Sequence, residues 1–206
     1  MRTIDKILDQ NETVLWSGTP AFLPFIFNAP SLVMGVFGVF WSLFMIPFLF
    51  SPIGKFGFLI PHFYVGPFLM FGPTLYRYLV YKNIFYAITN KRVLFEGGLI
   101  GRDVKAIDFD KITDISVNID LFDKIFNQNS GSIFVMTASS YKQGKHGAIA
   151  SPYELDSIPD PYTIFKKLKE LAYDVKTDIS YPNAQRPENN PGYQTTLTND
   201  PFATKL

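Results

Sequence analysis

No cysteine occurs in the 206 residues, which removes disulfides, thiolate nucleophiles and thiolate-held zinc together and fits a reducing compartment. Histidine is nearly as scarce, with only His62 and His146. Neither sign of charge dominates. A formal net charge of +1 gives no global field to recruit nucleic acid or an anionic substrate, so any electrostatic function must be local. The opening run MRTIDKILDQNETVLW carries acids and no apolar stretch, so no cleavable signal peptide is expected. Phosphate and metal loops are missing as well. Gly54-Lys55 lacks the upstream glycine and following Ser or Thr of a P-loop, and Asp108, Asp110 and Asp114 lack the glycine and terminal glutamate of an EF-hand, so they read as turn and strand-end residues. No G-x-S-x-G elbow is present. These patterns point to no catalytic group and no cofactor.

Charge is scarcest between Ala21 and Val80, where Lys55 and Arg77 are the only charged residues. Phenylalanine is abundant instead, at 21 residues in the chain, far more than a water-soluble domain of this size ordinarily hides. Residues 31–50 are uncharged, and a helix of that length rises about 30 Å, the thickness of the hydrocarbon layer. Residues 56–76 form a second such run after the short loop Ser51–Lys55, which predicts an antiparallel hairpin of two spans. Pro61, Pro67 and Pro73 should bend the second span, which then needs neighbours for its freed carbonyls. Glycines 35, 38, 57 and 66 allow close approach of the two helices. Residues 22–27, broken by Pro24, read as an interfacial segment, and Trp16 as an indole near the membrane surface. His62 reads as a neutral interfacial histidine beside Tyr64, and His146 as a solvated loop residue, with the two on opposite sides of the membrane. Arg77, Lys82, Lys91 and Arg92 follow the hairpin and Arg2 and Lys6 precede it, whereas its loop holds only Lys55. Both termini are therefore expected in the cytoplasm of a multi-pass cell-membrane protein.

The stretch from Ile84 to Ile119 alternates as four strands of an antiparallel meander with one dry face and one wet face. A short helical connection at 120–127 leads to a fifth strand at 132–138, a polar loop at 139–147 and a further edge strand at 148–156 broken near Pro152. Asp160-Pro161 then opens a helix as N-cap and first helical residue. Ile164, Phe165, Leu168, Leu171, Ala172 and Val175 fall on one face, and Lys166, Lys167 and Lys169 on the other. This helix caps the strands, or alternatively lies on the membrane through its lysines. Residues 177–206 are polar and rich in Pro and Asn, the composition of a disordered tail. The tail's Asn-Pro-x-Tyr run at 190–193 and Asp-Pro-Phe at 200–202 match short sorting patterns that arise often by chance.

Tyr86-x-Ile88-Thr89-Asn90-x-Arg92-Val93, a glycine turn, a basic strand and then Ile112-Thr113-Asp114-Ile115-Ser116-Val117 resemble the bacterial pleckstrin-homology-like (PH-like) family of membrane-associated domains. The resemblance implies a membrane α-helical hairpin of two spans followed by a mainly-β PH-like barrel or sandwich with a C-terminal capping helix. The corresponding segments are 1–20 (cytoplasmic), 21–80 (hairpin), 81–176 (PH-like domain) and 177–206 (tail). It also implies a non-catalytic binding or scaffolding role at the cytoplasmic membrane face. In PH domains that bind inositol phosphates, basic residues line a long loop between the first two strands; here that loop reads as the tight Thr89–Lys91 turn. Lys82, Lys91, Arg92, Arg102 and Lys105 are the candidate contacts for anionic headgroups or a partner, and a solvated juxtamembrane face is the plainer account of them. Expected partners are the lipid bilayer and its anionic headgroups, and a membrane protein or further copies of the chain, with no nucleic acid. A sensor or regulatory subunit of a membrane complex is the alternative reading, and an enzyme or transporter using His62 a more distant one.

Overall fold

A computed structural model of the chain describes residues 4–126, 129–144 and 147–180. The readings of His146 and of residues 181–206 lie outside the described residues.

The structure departs from the sequence reading first at the N-terminus. Val14–Gly18 is a strand, β1, and it pairs antiparallel with β2, Phe85–Thr89, so that Val14 faces Thr89 and Gly18 faces Tyr86. Between these two neighbours the chain makes α1 (Phe22–Ile26), α2 (Ala29–Leu49), a 3-10 segment (Pro52–Leu59) and α3 (His62–Tyr81). The helical hairpin is therefore inserted into the β1–β2 connection and does not precede the domain. Trp16, expected as an indole near the membrane surface, sits in β1 and packs against the domain core.

From β2 the chain turns into β3 (Arg92–Gly97) and β4 (Asp103–Asp108), completing a four-stranded sheet in the order β1-β2-β3-β4. The expected meander stops there. A 3-10 turn at Phe109–Lys111, with Phe109 fully buried, sends β5 (Ile112–Asn118) into a second sheet. That sheet has the order β5-β6-β9, with β6 at Ser130–Thr137 and β9 at Tyr153–Pro159. The short α4 (Leu121–Ile125) joins β5 to β6 and carries a capping box between Asp120 and Asp123. The expected polar loop after β6 holds β7 (Tyr141–Gly144), and the expected edge strand at 148–156 is split before Tyr153 into β8 (Gly147–Ala150), which pairs with β7 in a small hairpin, and the edge strand β9. No strand pairing joins the two larger sheets among the described residues, so this is a two-sheet sandwich and not a closed barrel.

The C-terminal α5 (Pro161–Ser180) closes the core, running four residues beyond the helix read from the sequence. Leu168 is 0% exposed and packs with Ile115 and Val117 of β5 at the partly buried edge of a core that includes Ile88, Val93, Ile133, Val135 and Leu155. Asp160 opens this helix with φ +49° and through its carbonyl, which accepts from Ile164 N–H at 3.4 Å. The other face of β2 and β3 is also dry, contrary to the expected wet face. Ile4 and Leu8 cover Ala87 and Leu94 there, both fully buried.

In the hairpin, α2 is long and apolar enough to cross a membrane, and only 6% of its most apolar stretch is buried inside the protein. No other described helix meets the same length and composition test. Within the expected second span, residues 56–59 belong to the 3-10 segment, and α3 begins at His62, where two internal prolines, several tyrosines and Arg77 dilute its apolar character. The helices touch through small residues. A Cβ on Gly38 would sit 2.6 Å from the Gly66 carbonyl oxygen, and one on Gly66 2.1 Å from Ser42 Oγ. Past the midpoint of α2, Trp41 Nε1 donates to the His62 carbonyl at 3.0 Å and the two rings stack, which accounts for His62 without chemistry. Residues 22–27, expected to lie in the interface, wedge between hairpin and sandwich, with Phe25 and Ile26 buried against Val80, Tyr81 and Ile84.

Candidate membrane-facing surface

Two joints hold the parts together. At the end of β2 away from the hairpin, the Thr-Asn-x-Arg motif clasps the N-terminal segment. Arg92 donates Nε to Glu12 Oε1 at 2.9 Å and Nη2 to Glu12 Oε2 at 2.6 Å, and it pairs with Asp9 at 3.0 Å. Thr89 Oγ1 donates to Glu12 Oε1 at 2.8 Å. The Asn90 side chain accepts from Thr13 N–H and donates to the Asn11 carbonyl, each at 3.1 Å. The Arg92 fork, aided by the Asp9 N–H and the Thr89 hydroxyl, overcomes the opposing effect of burial and holds the Glu12 carboxyl at about 2. Its partner Arg92 is pushed above its ordinary value by the same bonds.

At the hairpin end, Arg77 of α3 donates to the Phe25 carbonyl and pairs with Asp156 of β9, while its guanidinium lies 4.0 Å over the Phe25 ring. Asp156 N–H in turn donates to Tyr86 Oη at 3.1 Å, and Ala21 N–H donates to the Ser157 carbonyl at 2.7 Å. Burial, then the Asp156 charge, pushes the Tyr86 phenol up. The same two causes in the same order raise the Glu154 carboxyl, although the residue keeps an exposed edge. Helix, wedge and sandwich thus meet in one bonded joint, and the link from α3 to β2 is only Lys82–Ile84.

The antiparallel register sorts the candidate basic residues by level. Phe85 of β2 follows α3 after three residues, so Thr89, where the turn to Lys91 begins, lies about 13 Å farther along the strand at 3.3–3.4 Å per residue. Lys91 and Arg92 stand at that far end, where Lys91 Nζ reaches the Gln10 carbonyl at 3.4 Å and Arg92 is committed to Glu12. Lys82 caps the end of α3, and Arg102 immediately precedes β4, whose first residue Asp103 faces Gly97, so these two stand at the hairpin end. Arg102 is half-exposed and lies 3.7 Å from the buried Glu96, whose Oε2 has no partner among the described residues. Lys105 is exposed partway along β4, 6.0 Å over the Tyr153 ring. The structure therefore brings Lys82 and Arg102 to one level, with Lys105 next, and separates them from Lys91 and Arg92. An open cleft of about 370 Å³ lies beside Lys105, lined among others by Tyr86, Phe95, Asp103 and Glu154.

Sequence reasoning missed the Glu12 clasp and the Arg77 joint. Glu12 had no local signal, since its partner lies 80 residues away, whereas Arg77 stood out as a lone charge in an apolar run. Among the described residues, no group of three or more His, Asp or Glu is placed to hold a metal ion.

The model of the bacterial PH domain family matches residues 29–171, a stretch that takes in both long helices of the hairpin and most of the sandwich. No curated protein matches the chain. Among solved structures, the chain is similar to a DUF1696 family protein with a pleckstrin-homology domain from Shewanella loihica PV-4. The identity is 15% over 43% of this chain and 71% of that one, with a TM-score of 0.29. A pleckstrin homology domain from Shewanella amazonensis SB2B is 20% identical over 44% of this chain and 76% of its own, with a TM-score of 0.28. Superpositions at that level carry no argument of their own. The family match covers well over half of the chain, and with the two-sheet sandwich and its closing helix it leads to one assignment: the chain belongs to the bacterial PH domain family.

Proposed function

We propose that this protein is a non-catalytic docking module whose hairpin crosses the cell membrane twice and holds the PH-like sandwich against the cytoplasmic face. The observation that carries this reading is the pairing of β1 with β2 across the hairpin. Strands paired in one sheet lie on one side of a membrane, so everything between them must cross an even number of times. One of the two long helices, α2, is apolar over its whole length and shows Leu32, Val33, Phe37, Phe40 and Phe44 to its surroundings. If α2 crosses, α3 must bring the chain back, despite its weaker apolar character. The positive residues at the sandwich end, against Lys55 alone in the loop, favour a cytoplasmic sandwich.

The ligand class that suits the near-level Lys82, Arg102 and Lys105 is an anionic lipid headgroup. The regulatory-subunit reading draws on a different observation, the Arg77–Asp156 joint, which couples any tilt of α3 directly to β9. Topology is tested with single cysteines in this cysteine-free chain, at Ser51→Cys in the hairpin loop and Asp110→Cys in the sandwich. An impermeant thiol reagent applied to intact cells should label the first and reach the second only after permeabilisation. Labelling of the second in intact cells overturns the orientation, and protection of both until permeabilisation overturns the double crossing.

A further inference from the structure

Two apolar protrusions of the sandwich remain unexplained by its core. The first is the β3–β4 turn. Ile100 is 99% exposed and Leu99 43% exposed, in a chain segment that is anything but loose. Asn83 Nδ2 donates to the Gly98 carbonyl at 2.9 Å and the Leu99 carbonyl at 3.4 Å, and Gly98 has φ +137°, a conformation that L side chains rarely adopt. A Cβ at Gly98 would sit 2.2 Å from the Gly101 carbonyl oxygen, so the turn is closed on itself with its two apolar side chains outward. Asn83 stands two residues beyond the end of α3, and Gly97 faces Asp103 at that same end of the sheet.

The second protrusion is α4. Its Leu121 and Ile125 are 56% and 60% exposed, four residues apart and so on one face. This helix is fixed to the start of α2. Ala29 N–H donates to Asp120 Oδ2 at 3.4 Å, Phe126 meets the Phe27 ring at 6.0 Å, and Phe122 lines a groove of about 290 Å³ with Ser31, Met70 and Thr74.

A single exposed Leu or Ile needs no explanation in any protein. Here, however, each protrusion is tethered to one of the two hairpin ends that meet the sandwich, one beside the end of α3 and one beside the start of α2. The hairpin is itself apolar outside near these two ends, where Leu79 and Leu32 are exposed, and Arg102 stands two residues after Ile100. We propose that the Leu99–Ile100 turn and the Leu121/Ile125 face of α4 are bilayer-inserting elements, dipping below the headgroups on either side of the hairpin and fixing the sandwich at a set height and tilt. This inference rests on the double-crossing reading. Its occupant is the acyl boundary of the lipid bilayer, so the contact is apolar and, unlike headgroup attraction, insensitive to salt.

Single cysteines at Ile100, Ile125, Phe40 and Asp110 of the otherwise cysteine-free full-length protein would carry an environment-sensitive fluorophore in phosphatidylcholine vesicles, with one set of lipids bearing a quencher near the glycerol level, to read 100 and 125, and another bearing it deep in the acyl chain, to read 40. Phe40, an exposed residue in the middle of α2, reports on membrane crossing itself, and Asp110 marks the aqueous side. Expected are blue-shifted emission and lipid quenching at 40, 100 and 125 and neither at 110, unchanged in high salt. Quenching at 40 without quenching at both 100 and 125 overturns the proposal while leaving the membrane reading intact. A failure at 40 removes the membrane reading, and the proposal with it. A shift at 100 or 125 that the lipid-borne quencher does not touch would assign the surface to a contact between copies of the chain and also overturn the proposal.

Discussion

The clasp of Glu12 by Arg92 should decide whether β1 stays on the sheet, and it makes a pH-dependent prediction. The Glu12 side chain is 0% exposed and that of Arg92 18%, so the pair is shielded without being sealed. Depression of the Glu12 carboxyl from 4.5 to about 2 is equivalent to roughly 3 kcal/mol of stability, nearer 2 once water at the Arg92 rim is allowed for. The folded value lies below the unfolded one. The stabilisation is therefore complete above about pH 4.5 and is lost as pH falls toward about 2. Against a typical domain stability of about 5–15 kcal/mol this is a large share, and it acts on β1 first because Glu12 lies two residues before it. Trp16, midway along β1, is the reporter, with Trp41→Phe removing the only other indole. In that background Arg92→Ala should expose Trp16 at neutral pH, red-shift its emission and lower the denaturant midpoint by an amount equivalent to about 2 kcal/mol. Glu12→Gln should weaken the strand similarly but flatten the acid transition between about pH 4.5 and 2, because the titrating group is gone. An unchanged midpoint in Arg92→Ala, or an acid transition in Glu12→Gln identical to the parent, would refute the reasoning.

Two further outcomes follow from burial and charge. Leu168→Asp places a carboxylate in the sealed space under α5 and should cost several kcal/mol, seen as a collapsed thermal transition of the full-length protein, whereas Lys166→Asp on the exposed face should change it little. If Lys82, Arg102 and Lys105 hold anionic headgroups at about 1 kcal/mol each, replacing all three by Gln should reduce anionic lipid retained through gentle-detergent purification by up to about 100-fold, as measured by mass spectrometry. Equal retention would make them a solvated face.

Several parts of this protein were legible one segment at a time. The uncharged run of α2, the alternation of β2, β3 and β5, and the amphipathic α5 with Leu168 inward all follow from local periodicity and hydropathy, which depend on residues within a few turns of one another. The family motif belongs here too, since its Thr, Asn and Arg are close in sequence. What the motif is for could not be read locally. Thr89, Asn90 and Arg92 serve Glu12, Asn11 and Thr13 from across the whole hairpin, and nothing in ETVLWSGTP marks its five-residue strand, which ends at Gly18 and is followed by Pro20. The first sheet's β1 edge, the move of β5 into a second sheet at Phe109, and the grouping of Lys82 with Arg102 apart from Lys91 and Arg92 were likewise decided by strand pairing. Pairing joins residues far apart in the chain, and its free energy comes from burying both faces of β2 and β3 at once. That is a property of the assembled sandwich, and no single segment carries it.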